Sequence, residues 1–153
     1  MSKTLILVVL AIAMCNFSNA QNPLLDKKNY RSAQIKVMKV EYFQTAEYLQ
    51  NENGLYINDF QILNIYTLDK KEKRKLKKNL SKKDIFLEST NRPCPFIANY
   101  AIEIKSKNVI LELILTGKQC PKMMVKNIYT EEVLYYDLVG DCQIFELFDD
   151  YFK

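Results

Sequence analysis

Asn99-Tyr100-Ala101-Ile102-Glu103-Ile104-Lys105, then Ser106-Lys107-Asn108, then Val109-Ile110-Leu111-Glu112-Leu113-Ile114-Leu115, is the stretch that decides the fold. Side chains alternate across a strand, so Tyr100, Ile102 and Ile104 share one face. The second run is apolar and β-branched, and the short polar link between the runs makes them a β-hairpin. A two-residue turn at Lys107-Asn108 sets Tyr100 opposite Leu115, Ile102 opposite Leu113 and Ile104 opposite Leu111, and also Glu103 opposite Glu112. A four-residue loop over Lys105 to Asn108 sets the same face against Leu113, Leu111 and Val109 and avoids the glutamate pair. The pattern fits both registers.

Cys94 and Cys120 lie at equal distances from Lys107, so they leave the open end of the hairpin within about one residue of each other in either register. Each precedes a proline, which favours extended backbone at the cysteine. A Cys94–Cys120 disulfide clasping the hairpin is therefore expected, contributing about 3–4 kcal/mol by loop closure. Cys142 is left over and is expected to be a buried thiol, with a reactive or intermolecular thiol as the alternative.

Upstream, Ile35 to Phe43 reads as a strand with a slip near Met38, which suggests a bulge. Asn51-Glu52-Asn53-Gly54 is a turn signal, and Leu55 to Ile57 and Phe60 to Tyr66 follow as strands broken by Asn58-Asp59. Asp69 with Glu72 three residues on is a capping box. It opens a helix to about Leu80 whose thin apolar stripe is Leu68, Leu76 and Leu80. Ser81 is expected to cap a short second turn through Ile85 and Phe86, ended by Asn91-Arg92-Pro93. Downstream, Val133 to Val139 is a strand broken by Gly140. Asp141 is expected to cap a last helix carrying Ile144, Phe145, Phe148 and Phe152 on one face. The whole predicts an α+β domain: a mainly antiparallel sheet with one or two helices packed on one face.

A leader precedes this domain. Lys3, the apolar run Leu5 to Met14, and Ser18-Asn19-Ala20 give the n-, h- and c-regions of a secretory signal in order. The run is shorter than the roughly 20 residues that span a bilayer. Cys15 follows Met14, where a lipoprotein signal has a small residue, so cleavage after Ala20 is expected rather than lipidation. Residues 1–20 are then signal peptide, 21–32 a flexible leader and 33–153 a single domain, periplasmic or secreted.

Composition excludes several chemistries. With no His in the sequence, Ser-His-Asp and Cys-His catalysis and His-ligated metals are ruled out. Three glycines, Gly54, Gly117 and Gly140, make no phosphate loop. Carboxylate pairs remain for a hydrolase, with Asp137 and Asp141 or Glu131 and Glu132 as nominal candidates. No catalytic residue, metal or cofactor is expected, and nucleic acid is not an expected partner.

Charge is segregated. Lys70 to Lys83 (KKEKRKLKKNLSKK) holds nine basic residues and one acidic, whereas Glu131 to Asp150 holds seven acids and no base. Without Lys3 the mature chain carries +3, and taking the +8 segment from that leaves −5. Lys70, Lys71, Lys73, Arg74, Lys77 and Lys78 are the candidate anion-binding residues, unless the segment is a solvated helix face neutralised by the acidic tail.

The strand-rich start, the Leu68-Asp69-Lys70-Lys71-Glu72 helix start, Cys94-Pro95-Phe96 before the hairpin and Cys120-Pro121-Lys122 after it together resemble small exported bacterial proteins of uncharacterised function. The signal ending in Ala20-Gln21 resembles those of Bacteroidetes-type envelope proteins. The resemblance covers Ile35 to Lys122. It implies a fold and a disulfide but no activity and no site residue. Three functions stay in view: a non-catalytic binding protein with a protein partner in the envelope (inhibitor, immunity or accessory type), a polyanion or membrane-surface binder acting through Lys70 to Lys83, and a carboxylate-dependent hydrolase.

Overall fold

The computed structural model describes residues 32–42, 54–87 and 93–153. The expected signal peptide, the expected leader up to Arg31, the expected turn at Asn51 to Asn53 and Asn91-Arg92 lie outside the described residues. The fold is α+β, as the alternating runs predict, with eight antiparallel strands in one sheet and two helices among the described residues. The strands are β1 (Gln34–Tyr42), β2 (Tyr56–Ile57), β3 (Phe60–Thr67), β4 (Phe86–Leu87), β5 (Ala98–Lys105), β6 (Ile110–Thr116), β7 (Lys122–Asn127) and β8 (Val133–Leu138). The helices are α1 (Lys70–Leu80) and α2 (Ile144–Tyr151), and a 3-10 turn covers Lys83–Ile85. The sheet order is β2-β3-β1-β5-β6-β7-β8-β4, so β5 to β8 form a meander and the chain crosses from the β3 side to the β4 edge through α1.

The hairpin takes the two-residue turn. Tyr100 faces Leu115, Ile102 faces Leu113, Ile104 faces Leu111, and Glu103 faces Glu112. Ser106 N–H closes the turn on the Val109 carbonyl at 2.9 Å. On the helix side of the sheet, Ile35, Val37, Ile102, Ile104, Leu111, Leu113, Leu115, Met123 and Val125 meet Leu76 and Leu80 of α1 and Ile144, Phe145, Leu147 and Phe148 of α2 in one core. Burying side chains of this size contributes about 1.5–3 kcal/mol each before the entropy of ordering them is set against it.

The other sheet face carries a second, smaller core of Met38, Val40, Ile57, Phe60, Ala98, Ala101 and Ile114. Strand β1 pairs with β5 without a shift, and its apolar pattern slips at Met38 because Ile35 and Val37 face one core and Met38 and Val40 the other. The bulge expected in β1 lies instead in its partner β3: pairing shifts between Lys39 and Val40 and leaves Leu63 as the extra residue. A bulge bends its strand and increases the local twist. The β2–β3 hairpin accordingly reaches across this face, and the Asn58 amide in its turn donates to Glu112 on β6 at 2.9 Å. Asn58 has φ 50°, in the left-handed region that asparagine tolerates better than most residues.

Local expectations at the helix termini divide. The Asp69 capping box forms, with Glu72 N–H donating to Asp69 Oδ1 and Asp69 N–H donating to Glu72 Oε2, both at 2.8 Å. The short second turn forms as the 3-10 turn Lys83–Ile85, but Ser81 does not cap it. Ser81 closes α1 instead, its hydroxyl donating to the Lys78 carbonyl at 3.0 Å, and Phe86 goes into β4. Asp141 does not cap α2 either. The chain turns back at the end of β8, with Cys142 N–H on the Val139 carbonyl at 3.2 Å, so Asp141 is exposed and the cap position falls to Gln143, which makes no side-chain cap bond. Strand β7 has no counterpart in the sequence reading. Met123 and Val125 face one core and Met124 the other, so the alternation that marks a half-buried strand is blurred.

Candidate interaction surfaces

The open end of the β5–β6 hairpin is closed by the Cys94–Cys120 disulfide, with the Cα atoms 6.4 Å apart. Pairing of β5 with β6 shifts by one residue between Ala98 and Tyr100, and past that bulge Ala98 faces Thr116. The shift removes the one-residue offset that the turn alone would leave between the two cysteines. Thr116 is buried and stitches the connection to β7: its hydroxyl accepts from Lys122 N–H at 2.7 Å and bonds the Cys120 carbonyl. Lys122 Nζ donates to the Cys94 carbonyl at 2.9 Å, a second tie across the clasp.

Beside the disulfide lies an open groove of about 730 Å³ walled by Pro95, Ile97, Asn99, Tyr100, Lys118 and Asp149, together with the two cysteines. At Gly117 a Cβ would meet Asn99 Oδ1 at 3.2 Å, so the wall is tight there. Asp149, on α2, accepts from Lys118 Nζ at 2.5 Å and from the Tyr100 hydroxyl at 3.1 Å. Those bonds, Lys118 first, hold its carboxyl below the usual carboxylate range. Burial, then the bond to Asp149, raises the Tyr100 phenol. Tyr100 also stacks on Phe148 with ring centroids 4.7 Å apart, so the groove floor is fixed to the main core. Ile97 in the groove wall is 58% exposed, and Tyr135, on the helix-free face opposite Met124 of β7, is 70% exposed. Phe96, next to Ile97, packs edge-on against Tyr135 at 6.4 Å. The groove escaped the sequence reading because Ile97, Asn99, Lys118 and Asp149 come from three separate segments; Cys94 and Cys120 were its only local signal.

A polar row crosses the helix-free face one step along from the second core. Lys36, Glu103, Glu112 and Lys126 are successive cross-strand neighbours on β1, β5, β6 and β7. Lys36 pairs with Glu103 at 3.5 Å, and Lys126 Nζ donates to Asn58 Oδ1 at 3.0 Å. Burial raises the Glu112 carboxyl; Lys126 and the Asn58 bond act against that and Glu103 adds to it.

The basic segment forms α1, whose inward face is Leu76, Asn79 and Leu80. Of the candidate anion-binding residues, Lys70, Lys71, Arg74 and Lys78 are exposed, and so is Lys75. Lys73 and Lys77 sit on the flank, half-buried, and Lys73 Nζ donates to the Ala33 carbonyl at 3.1 Å. The acidic α2 packs near α1, but Asp149 is bound by Lys118 and Asp150 by Lys153.

The nominal carboxylate pairs do not line the groove. Glu131 and Glu132 are exposed in the β7–β8 turn, Asp137 lies in β8, and Asp141 is exposed beyond it. Cys142 is a buried free thiol raised chiefly by burial, the opposite of an activated nucleophile. Among the described residues no group of three or more Cys, Asp or Glu is placed to hold a metal ion. Among them, too, no helix is long and apolar enough to cross a membrane. A disulfide in a chain with a large apolar core is consistent with an oxidising compartment. Comparison with protein-family models, with curated proteins and with solved structures gives no match.

Proposed function

We propose that this is an exported, non-catalytic binding protein that takes an apolar segment of a protein partner at the clasped end of its hairpin. The observation that carries the reading is Ile97, a large apolar side chain left 58% exposed in the wall of a groove braced by the disulfide and by Asp149. Exposed apolar and aromatic side chains around a concavity are the usual make-up of a protein-binding surface. A braced groove also loses little conformational freedom on binding, which favours affinity. The expected export signal and the disulfide both support a partner outside the cytoplasm.

The test is capture from the envelope fraction of the cell that makes the protein, using the processed chain as bait. Ile97→Asp should abolish capture of the wild-type partner while leaving the melting temperature unchanged, and Tyr135→Asp, on the other face of the sheet, should keep it. Tyr129→Asp, an equally apolar loss in the exposed β7–β8 turn, should keep it. Loss of the partner with all three variants, or with none, removes the groove as the contact surface.

A further inference from the structure

The exposed cations of α1 recur as Lys70, Lys71, Arg74, Lys75 and Lys78. That i, i+1, i+4, i+5, i+8 pattern is a single stripe along one side of a helix. It lies across the helix axis from Leu76, Asn79 and Leu80, so it points away from the body of the protein. Over these nine residues the stripe is about 12 Å long. It is purely ionic: no exposed apolar residue interrupts it.

Two observations set this stripe apart from an ordinary solvated face. First, the charge works against the helix that carries it. Lys70, Arg74 and Lys78, and Lys71 and Lys75, are like charges one turn apart, which destabilises a helix. Lys70 and Lys71 also occupy its first turn, where the backbone dipole already favours negative charge. Second, the carboxylates at this end of the molecule are engaged elsewhere. Glu72 accepts from the Tyr66 hydroxyl and from Asp69 N–H, and Asp150 is bound by Lys153, although Lys75 also acts on it. The repulsion in the stripe is therefore not offset from within along most of its length.

We infer that the stripe docks the protein on an anionic lipid bilayer, lying on the headgroups without inserting. Four of the five cations are lysines, compact point charges that suit a smeared layer of phosphates better than a single oriented one. The stripe has no aromatic side chain on which a nucleic-acid base would stack. Without apolar residues it has no means of burying itself among acyl chains. A convex helix surface touches a flat sheet of headgroups along its whole line. Each Lys or Arg brought to such a surface strengthens attachment about fivefold, and the effect fades beyond a Debye length of about 8–10 Å.

The experiment compares vesicles of phosphatidylcholine with vesicles of phosphatidylcholine and phosphatidylglycerol, using the chain as its cell processes it. Co-sedimentation is expected only with phosphatidylglycerol present, and is expected to fall steeply as salt rises. Arg74→Gln/Lys78→Gln should bind about 25-fold more weakly, two cations at about fivefold each. Lys105→Gln/Lys107→Gln removes the same net charge at the exposed hairpin turn and should bind like wild type. Circular dichroism melting confirms that both variants fold. Equal weakening in the two variants would assign the effect to overall charge and overturn the proposal. Equal binding to both vesicle types, or tighter binding to heparin than to phosphatidylglycerol vesicles at the same ionic strength, would overturn it as well.

Discussion

Glu103 and Glu112 stand directly opposite one another across the β5–β6 hairpin. Like charges in that position are ordinarily destabilising, by a few tenths to about 1 kcal/mol. The pair is tolerated because each glutamate has its own partner on the outer side: Lys36 for Glu103, and Asn58 with Lys126 for Glu112. The alternative register would have relieved the repulsion and given up this arrangement.

A pH-dependent stability follows from Glu112. A carboxyl whose folded value lies above its unfolded one favours the fold when protonated. That contribution is full below the ordinary carboxylate value and is lost as pH rises through the raised value. Glu112→Gln keeps an acceptor for the Asn58 amide and removes the ionisation. It should therefore match or exceed wild type at neutral pH, by up to about 1 kcal/mol. Asp149 and Asp150, held low by Lys118 and Lys153, slope the opposite way. Subtracting variant from wild type in denaturant melts across this pH range cancels them. A variant clearly less stable than wild type at neutral pH would mean that the Lys126 contact outweighs desolvation.

Removing the clasp should cost about 3–4 kcal/mol, the loop-closure value for a bridge of this span. Cys94→Ser and Cys120→Ser should lower the melting temperature by the same amount, and the double variant should add nothing further. Non-reducing peptide mapping should recover the Cys94–Cys120 linkage from native protein. Any bridge to Cys142 would contradict the structure.

Cys142 should alkylate at least about tenfold more slowly in native protein than a free cysteine at the same pH, because its thiol is buried and raised. Denaturation should release it to full reactivity. Rapid labelling of native protein would show that this corner opens readily.

The start of α1 offers a graded test. Asp69→Ala removes the side chain that accepts Glu72 N–H and should cost about 0.5–2 kcal/mol. Leu76→Ala, at a fully buried position, should cost about 2–5 kcal/mol. Arg74→Ala, exposed on the same helix, should stay within about 0.5 kcal/mol of wild type. Chemical denaturation of the three variants orders them, and an Arg74 variant as damaging as the Leu76 one would place the helix differently.

Whatever depends on neighbours in the chain was legible without coordinates. Alternation over residues 99–115 defined the hairpin, the spacing of Asp69 and Glu72 defined the cap, and the symmetry of Cys94 and Cys120 about Lys107 defined the clasp. These are interactions between groups a fixed number of residues apart, so backbone geometry alone brings them together. The tertiary structure decided what depends on distant segments. The hairpin register turns on Lys36, Asn58 and Lys126, from three other strands and turns. Strand β7 was hidden because Met123 and Val125 pack in one core while Met124 packs against the other, and Ser81 and Asp141 changed roles because their backbones turn where the sheet obliges them to. The groove gathers Ile97, Lys118 and Asp149 only once α2 has docked. Side-chain order along a chain carries no record of such meetings, since they are selected by packing energy summed over the whole core.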